Sequence, residues 1–190
     1  IDLMFGLPSQ NTNDALLDLS TAFDQLPTHI SWYQLTIEPN TQFSFNPPNL
    51  PCDDNIWSMQ KEGQELLKCN DFFQYEISAY AKNKFASIHN TNYWEFGDYI
   101  GIGAGAHSKI TNFNDGKIER FSRHRVPKRY IELAGHSDVI AHKKILDSDD
   151  ISLEFMMNTL RLTNGIPANL FFERTGLHMN QIKKELKYAK

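Results

Sequence analysis

The chain has 190 residues, a hydrophobic fraction of 41% and a formal net charge of −4. That length fits one domain with a small appendage, the apolar content suffices for a core, and the acidic balance argues against a general nucleic-acid-binding surface. No run approaches the roughly 20 apolar residues of a membrane-spanning helix, and the opening Ile1-Asp2-Leu3-Met4-Phe5 lacks the basic segment of a secretory leader. Cys52 and Cys69 are too few for a disulfide framework, so a reducing compartment, the cytoplasm by default, is expected.

In chain order, residues 1–5 are a short apolar run read as a buried strand, broken by Gly6-Leu7-Pro8. Leu16, Leu19, Phe23 and Leu26 recur at helical spacing after a cap at Thr12 or Asn13, and Pro27 ends that helix. Residues 29–36 are rich in β-formers. Pro39, Pro47, Pro48 and Pro51 make 37–53 a long loop. Asp53 or Asp54 caps a second helix with Ile56, Met59, Gly63, Leu66 and Leu67 on one face, and 72–80 returns as a strand. The order β-α-β-α-β with apolar strands predicts an α/β fold, a parallel sheet with covering helices. About three strands are too few to close an eight-stranded barrel. The chain also opens inside an apolar run and ends in the basic helical stretch 181–190 with no stop signal, so it reads as an internal piece of a longer protein.

After Ser108 the character changes. Residues 111–128 are polar and basic, with Asn114-Asp115-Gly116 as a hairpin turn. Residues 130–146 read as helical in patches, broken near Gly135. Residues 152–162 form a helix, Pro167 suits the first turn of the next, Gly176 closes it, and 180–188 starts another. Three short helices in this order match either the start of a winged-helix module or a plain helical cap; with no basic excess, DNA binding is not expected.

Two neighbouring segments carry the chemistry. In Asp98-Tyr-Ile-Gly-Ile-Gly-Ala-Gly-Ala-His-Ser108 three glycines alternate, allowing close backbone approach either to a ligand or between packed elements. The spacing is not Gly-x-Gly-x-x-Gly, so a dinucleotide site is a weak reading. In His89-Asn-Thr-Asn-Tyr-Trp94 a histidine lies among amides and aromatics, either a ligand-binding edge built on a β-strand or a self-satisfied structural cluster. Glu38, at a predicted strand end, suits acid–base work or the capping of loop amides; Arg123-His124-Arg125 is a local basic patch suited to carboxylates, or a solvated turn.

Five phrases in order, residues 1–8 (Ile-Asp-Leu-Met-Phe-Gly-Leu-Pro), 31–41 (Ser-Trp-Tyr-Gln-Leu-Thr-Ile-Glu-Pro-Asn-Thr), 75–81 (Tyr-Glu-Ile-Ser-Ala-Tyr-Ala), 89–94 and 98–108, resemble the radical S-adenosylmethionine proteins related to oxygen-independent coproporphyrinogen III oxidase. The phrases at 31–41 and 89–94 are closer to the heme chaperone branch than to the oxidases. The resemblance implies the C-terminal part of a partial (β/α) barrel over 1–110, a connecting β-extension over 111–150, and the start of a small winged-helix-like domain over 151–190.

It further implies a parent that binds a [4Fe-4S] cluster, S-adenosylmethionine and heme, and that passes heme to acceptor proteins, respiratory ones among them. The alternatives are an oxidase that decarboxylates coproporphyrinogen in porphyrin biosynthesis, and a scaffold with no ligand. The cluster motif Cys-x3-Cys-x2-Cys is absent, so no cluster can be assembled from this chain and it is expected to be inactive alone. By the resemblance, Asp2, Thr36, Ala106 and His107 contact S-adenosylmethionine, Asp2 from the end of a barrel strand; on its residues alone Asp2 is an ordinary strand-end cap. His89 is the implied heme-iron ligand, Asn90 holds its ring, and Tyr93 and Trp94 offer flat surface to the porphyrin. Cys52 and Cys69 receive no role. The first strand, with no upstream neighbour, is expected to self-associate through its edge.

Overall fold

Alternation along the first strand sets the plan of the N-terminal part. In the computed structural model, which describes residues 1–112 and 114–188, β1 (Asp2–Phe5) buries Phe5 and half-buries Leu3 while Asp2 and Met4 stay exposed. A period of two gives the strand one covered and one open face. The chain divides into two units, Ile1–Ser87 and Ile88–Lys190.

In the first unit β1 runs parallel to β2 (His29–Gln34), in the register Asp2↔Ser31 through Phe5↔Gln34. The connecting helix α1 (Thr12–Phe23) is capped one residue earlier than expected: Asn11 accepts from the Asp14 amide and Asp14 accepts from that of Asn11, a reciprocal box. The helix also stops before Leu26, which turns at φ 52 and is 82% exposed instead of lying on the apolar face. The proline-rich loop contains a short helix, α2 (Gln42–Phe45), capped by Thr41. In α3 (Asp53–Cys69) the N-cap residue is Cys52, without a side-chain bond. Asp53 and Asp54 lie in the first turn, where their charge complements the helix N-terminus. Ala15, Leu19 and Ala22 of α1 and Met59 and Leu67 of α3 bury the helix-facing side of the sheet, with Phe5, Ile30, Trp32 and Tyr80 in one core.

The sheet is not purely parallel. Residues 72–80 do not form one strand but a hairpin, β3 (Phe73–Glu76) and β4 (Ala79–Ala81), and β4 enters antiparallel between β2 and β3 to give the order β1-β2-β4-β3. The turn is held by the buried Glu76 carboxylate, which accepts from the Ser78 amide and hydroxyl at 3.0 Å each. A two-residue connection can only return a strand antiparallel, which the apolar content of 72–80 does not reveal. β1 is left as an edge of this sheet.

The second unit opens with α4 (Ile88–Trp94), so the histidine motif is helical and not on a strand edge as its aromatics imply. An antiparallel sheet follows in the order β5 (His107–Thr111), β6 (Ile118–Arg123), β7 (Ile140–Ile145). The expected turn joins β5 to β6: Gly116 donates its amide to the Asn112 carbonyl at 2.8 Å. Within 130–146 the helical expectation holds only for the end of α5 (Pro127–Glu132) and a single 3-10 turn at Ser137–Val139. Residues 133–136 turn, and Ile140–Ile145 is β7, recruited by pairing with β6; its lysines are matched by charge: Lys143 meets Glu119 at 2.9 Å and Lys144 meets Asp150 at 2.5 Å. Lysines on an edge strand also discourage pairing with other chains.

α6 (Ser148–Thr159) begins earlier than expected because Asp147 caps it, accepting from the amides of Asp149 and Asp150. α7 (Asn169–Thr175) starts two residues after Pro167 and closes on Gly176, and α8 (Lys183–Tyr188) completes the described chain; residues 189 and 190 of the predicted last helix lie outside the described residues. Phe96, Ile118, Leu146, Ile151, Phe155, Phe171 and Ile182 share one core, so helices and sheet of this unit are packed together. Among the described residues no helix is long and apolar enough to cross a membrane.

Candidate functional site

His89 is the second residue of α4 and is exposed. Tyr93, four positions on, lies on the same helical face, and its ring meets the imidazole at 4.8 Å between centroids and 66°. No hydrogen bond among the described residues occupies either imidazole nitrogen. His29 differs: its Nε2 lies 2.9 Å from the Tyr75 hydroxyl, and burial, then the N-terminal ammonium, hold its pKa below the usual histidine range against Asp2 and Glu76. Asn90 is half-buried and, one residue after His89, projects about 100° around the helix from it. The ring found against the imidazole is that of Tyr93.

The other aromatics of the motif are engaged within the protein. Tyr93 packs on Tyr99 at 4.3 Å and 33°, and burial, with Tyr99 adding to it, raises the Tyr93 pKa. Trp94, expected to offer flat surface, carries the Arg161 guanidinium 4.2 Å over its ring, and its indole nitrogen is buried without a hydrogen-bond partner among the described residues. Asn92 donates its side-chain amide to the Asp98 carbonyl at 2.9 Å, tying α4 to the start of the glycine-rich segment.

That segment is a loop folded onto β5, not a strand edge. Tyr99 exchanges backbone bonds with Lys109 at 2.9 and 3.1 Å. Gly101 donates to the Ser108 hydroxyl at 2.9 Å and accepts from the Arg123 Nε at 2.9 Å. A Cβ at Gly101 would lie 2.9 Å from the His107 backbone nitrogen and closer still to its carbonyl oxygen, so glycine is required there by close backbone approach. Ala106 has both backbone groups taken, its amide by Gly103 and its carbonyl by Arg123. His107 is exposed at the head of β5.

The fastening under this loop is Lys109, which is 1% exposed. Its ammonium donates to the Phe96 carbonyl at 2.9 Å, lies 3.3 Å from the Asp98 carboxylate and stands 4.0 Å over the Phe96 ring. Asp98 also accepts from the Thr111 amide and hydroxyl at 2.8 and 2.9 Å. Desolvation lowers the Lys109 pKa, with Asp98 opposing it. A lysine in alternating sequence gives no signal of such burial; only the facing Asp98 and the aromatic cluster create it.

Asp2 and Thr36 lie in the first unit. Asp2 begins β1 rather than ending it, on the face turned away from the helices, and pairs with Ser31. Thr36 lies just past the opposite end of β2, five residues beyond Ser31 and so roughly 15 Å along an extended chain. A single hydrogen-bonded group cannot touch both. Glu38 is exposed in the loop, and its backbone carbonyl accepts from the Thr41 hydroxyl. His124 directly follows β6, its amide donated to the Val139 carbonyl and its carbonyl accepting from Gly105, with its Nε2 3.1 Å from the Asp138 carbonyl. Cys52 and Cys69 are exposed at opposite ends of the 17-residue α3, about 26 Å apart by helical rise. They cannot share a cluster, and no group of histidines, cysteines and acids among the described residues could hold a metal ion.

A profile for the HemN C-terminal domain matches residues 146–189, the segment from Leu146 onward that carries α6, α7 and α8. The heme chaperone HemW of Haemophilus influenzae is 46% identical over 189 residues, covering 100% of this chain and 48% of that protein. The chain is homologous to the HemW heme chaperones. HemW of Escherichia coli is 44% identical over 189 residues, and a mouse protein named radical S-adenosyl methionine domain-containing protein 1, mitochondrial, is 37% identical over 127 residues. The chain spans about half the length of the HemW proteins it matches, 48% and 49%. Among solved structures, coproporphyrinogen III oxidase (HemN) from Escherichia coli, described as a radical SAM enzyme, superimposes with a TM-score of 0.74 at 16% identity over 98% of this chain and 46% of that one. The chain thus has the mixed α/β fold of that radical SAM protein.

Arg120, Glu154 and Arg161 escape a reading by motif. Each is an ordinary charged residue in sequence, and only tertiary contacts bring them to the aromatics beside His89: Arg120 bonds to Tyr99 and Glu154, and Arg161 covers Trp94.

Proposed function

We propose that this chain supplies the heme-holding part of a heme chaperone, with His89 as the axial ligand to iron, and that the whole protein also binds S-adenosylmethionine and passes heme to acceptor proteins in the cytoplasm. The observation that carries the proposal is the state of His89. Neutral imidazole is a common donor to heme iron, and here it is exposed, unclaimed at both nitrogens and backed by the Tyr93 ring. Ile88 beside it is 87% exposed, an apolar residue suited to a porphyrin edge. Tyr93 and Trp94 act in this reading chiefly as support for the helix, since their rings are covered by Tyr99 and Arg161.

Contacts of Asp2, Thr36, Ala106 and His107 to S-adenosylmethionine form the second part of the proposal. The Asp2 carboxylate can accept from hydroxyl or amine groups. Ala106, with its amide donated to Gly103 and its carbonyl accepting from Arg123, offers its methyl surface and the second lone pair of that carbonyl. The thiolate ligands of a [4Fe-4S] cluster are not provided by Cys52 and Cys69, which are too far apart to share one.

The test is a hemin titration of the chain and of His89→Ala. Loss of the ligand should weaken binding at least tenfold, about 1.4 kcal/mol, and shift the Soret band. Unchanged affinity and spectrum would remove His89 from the iron.

A further inference from the structure

We propose that Arg120 is a positioning residue for the His89 imidazole, acting through Tyr99 and Tyr93 and anchored by Glu154 of the C-terminal helix α6. The inference rests on the reading of His89 as heme ligand.

The seven-residue α4 is far shorter than the roughly 12–15 residues at which an isolated helix becomes marginal in water, so its placement must come from tertiary contacts. Those contacts converge on α6. Tyr93, edge-on to His89, is stacked on Tyr99. The Tyr99 hydroxyl accepts from Arg120 Nη1 at 2.8 Å. Arg120 also donates through Nε at 2.7 Å and Nη2 at 2.6 Å to Glu154 Oε2. One planar guanidinium therefore fixes a tyrosine on one side and a helix of the C-terminal segment on the other. Lysine, with a single tetrahedral ammonium, cannot reproduce this.

Two further pins run in parallel. Arg161, just past the end of α6, covers Trp94 at 4.2 Å, and Phe96 meets Phe155 of α6 at 5.7 Å and 68°. Phe96 and Phe155 are 1% exposed and hold the packing together. The Arg120 chain is different: Arg120 and Glu154 keep 31% and 26% side-chain exposure, and the chain runs specifically to the ring that faces the imidazole. A ligand imidazole needs its ring orientation set by its neighbours. Here the neighbour is an aromatic edge, itself fixed two steps away by an ion pair.

The experiment is hemin binding by the chain, followed by Soret absorbance and low-temperature electron paramagnetic resonance. Tyr99→Phe keeps the ring stack and removes only the hydroxyl that Arg120 holds; Arg120→Lys keeps the charge and loses the fork. Both should bind hemin up to about tenfold more weakly and broaden or shift the ligand-sensitive spectrum, while far-UV circular dichroism stays that of the wild type. Tyr93→Phe, which preserves every ring contact described, should keep the wild-type spectrum. If Tyr99→Phe and Arg120→Lys retain wild-type affinity and spectrum while His89→Ala loses both, the positioning role is refuted and the heme reading stands. If His89→Ala itself binds hemin unchanged, the heme reading fails, and the positioning role with it.

Discussion

Gly63→Ala should destabilise the N-terminal unit even though alanine is the better helix former. Gly63 lies in the interior of α3 against Trp32 of β2, which is 2% exposed. A Cβ at Gly63 would lie 2.6 Å from Cζ3 and 2.7 Å from Cζ2 of the indole, and closer still to Cη2, well inside ordinary contact distance. The ring has little room to retreat, because Phe5 packs on it at 4.3 Å between centroids. Replacing an interior helical glycine by alanine is worth roughly 1 kcal/mol in favour of the variant. Overpacking a filled core costs roughly 1–3 kcal/mol, and a clash with an aromatic ring held on both sides belongs at the upper end. The net loss should be about 1–2 kcal/mol, a fall of roughly 3–6 °C in the melting temperature. Tryptophan fluorescence and circular dichroism during urea and thermal unfolding measure it. A cycle with Trp32→Leu then tests the cause: in that background Gly63→Ala should become neutral or stabilising, a coupling of about 1 kcal/mol or more. Equal or greater stability of Gly63→Ala in the wild-type background would refute the close approach of α3 and β2.

Anaerobic incubation with iron and sulfide should leave the chain without iron–sulfur absorbance, since its two exposed cysteines are held at opposite ends of α3; stable iron–sulfur absorbance, on the order of one cluster per chain, would contradict this. The His29 imidazole has a pKa lowered from 6.5, chiefly by burial, so the unfolded chain takes up its proton first as pH falls. The associated stability is complete above that value and is lost as pH drops from 6.5 toward the folded pKa. His29→Gln should therefore flatten the acid side of the stability profile relative to wild type; superimposable profiles would count against the burial argument. The outer edge of β1 should drive concentration-dependent self-association. Because Ile1 and Phe5 direct their carbonyls to Ser31 and Leu35 of the β2 side, Met4 directs its amide outward, and Met4→Pro should return the chain to monomer in sedimentation velocity. A wild-type chain that stays monomeric at high concentration would show that the edge is protected.

The glycine-rich segment shows how far a local pattern reaches. Alternating glycines signal close backbone approach, and this is correct at Gly101, which lies against His107. The pattern does not say what is approached, and the partner is the chain's own β5 strand. The histidine motif shows the opposite limit. Its aromatic content favours a strand by propensity, but in the helix Tyr93 packs on Tyr99 and Trp94 under Arg161. Propensity is a weak prior that packing overrides. Likewise Lys143 and Lys144 carry no strand preference, and β7 exists because β6 offers a ladder and Glu119 and Asp150 offer countercharge.

Sequence by itself determined most of the apolar face of α1 and α3, the start of α1 and the Asn114-Asp115-Gly116 turn, the order of the first elements and, through five short phrases, the kinship with radical S-adenosylmethionine heme chaperones. These depend on neighbours close along the chain or on motifs that survive as words. Tertiary structure alone decided that 72–80 doubles back as a hairpin, that Asp2 and Thr36 lie at opposite ends of adjacent strands, that Lys109 is buried on Asp98 and Phe96, and that Arg120 and Glu154 stand behind the helix of His89. Each joins residues far apart in sequence whose side chains are individually unremarkable. Their energies arise only once burial removes water and fixes geometry, so no local pattern records them.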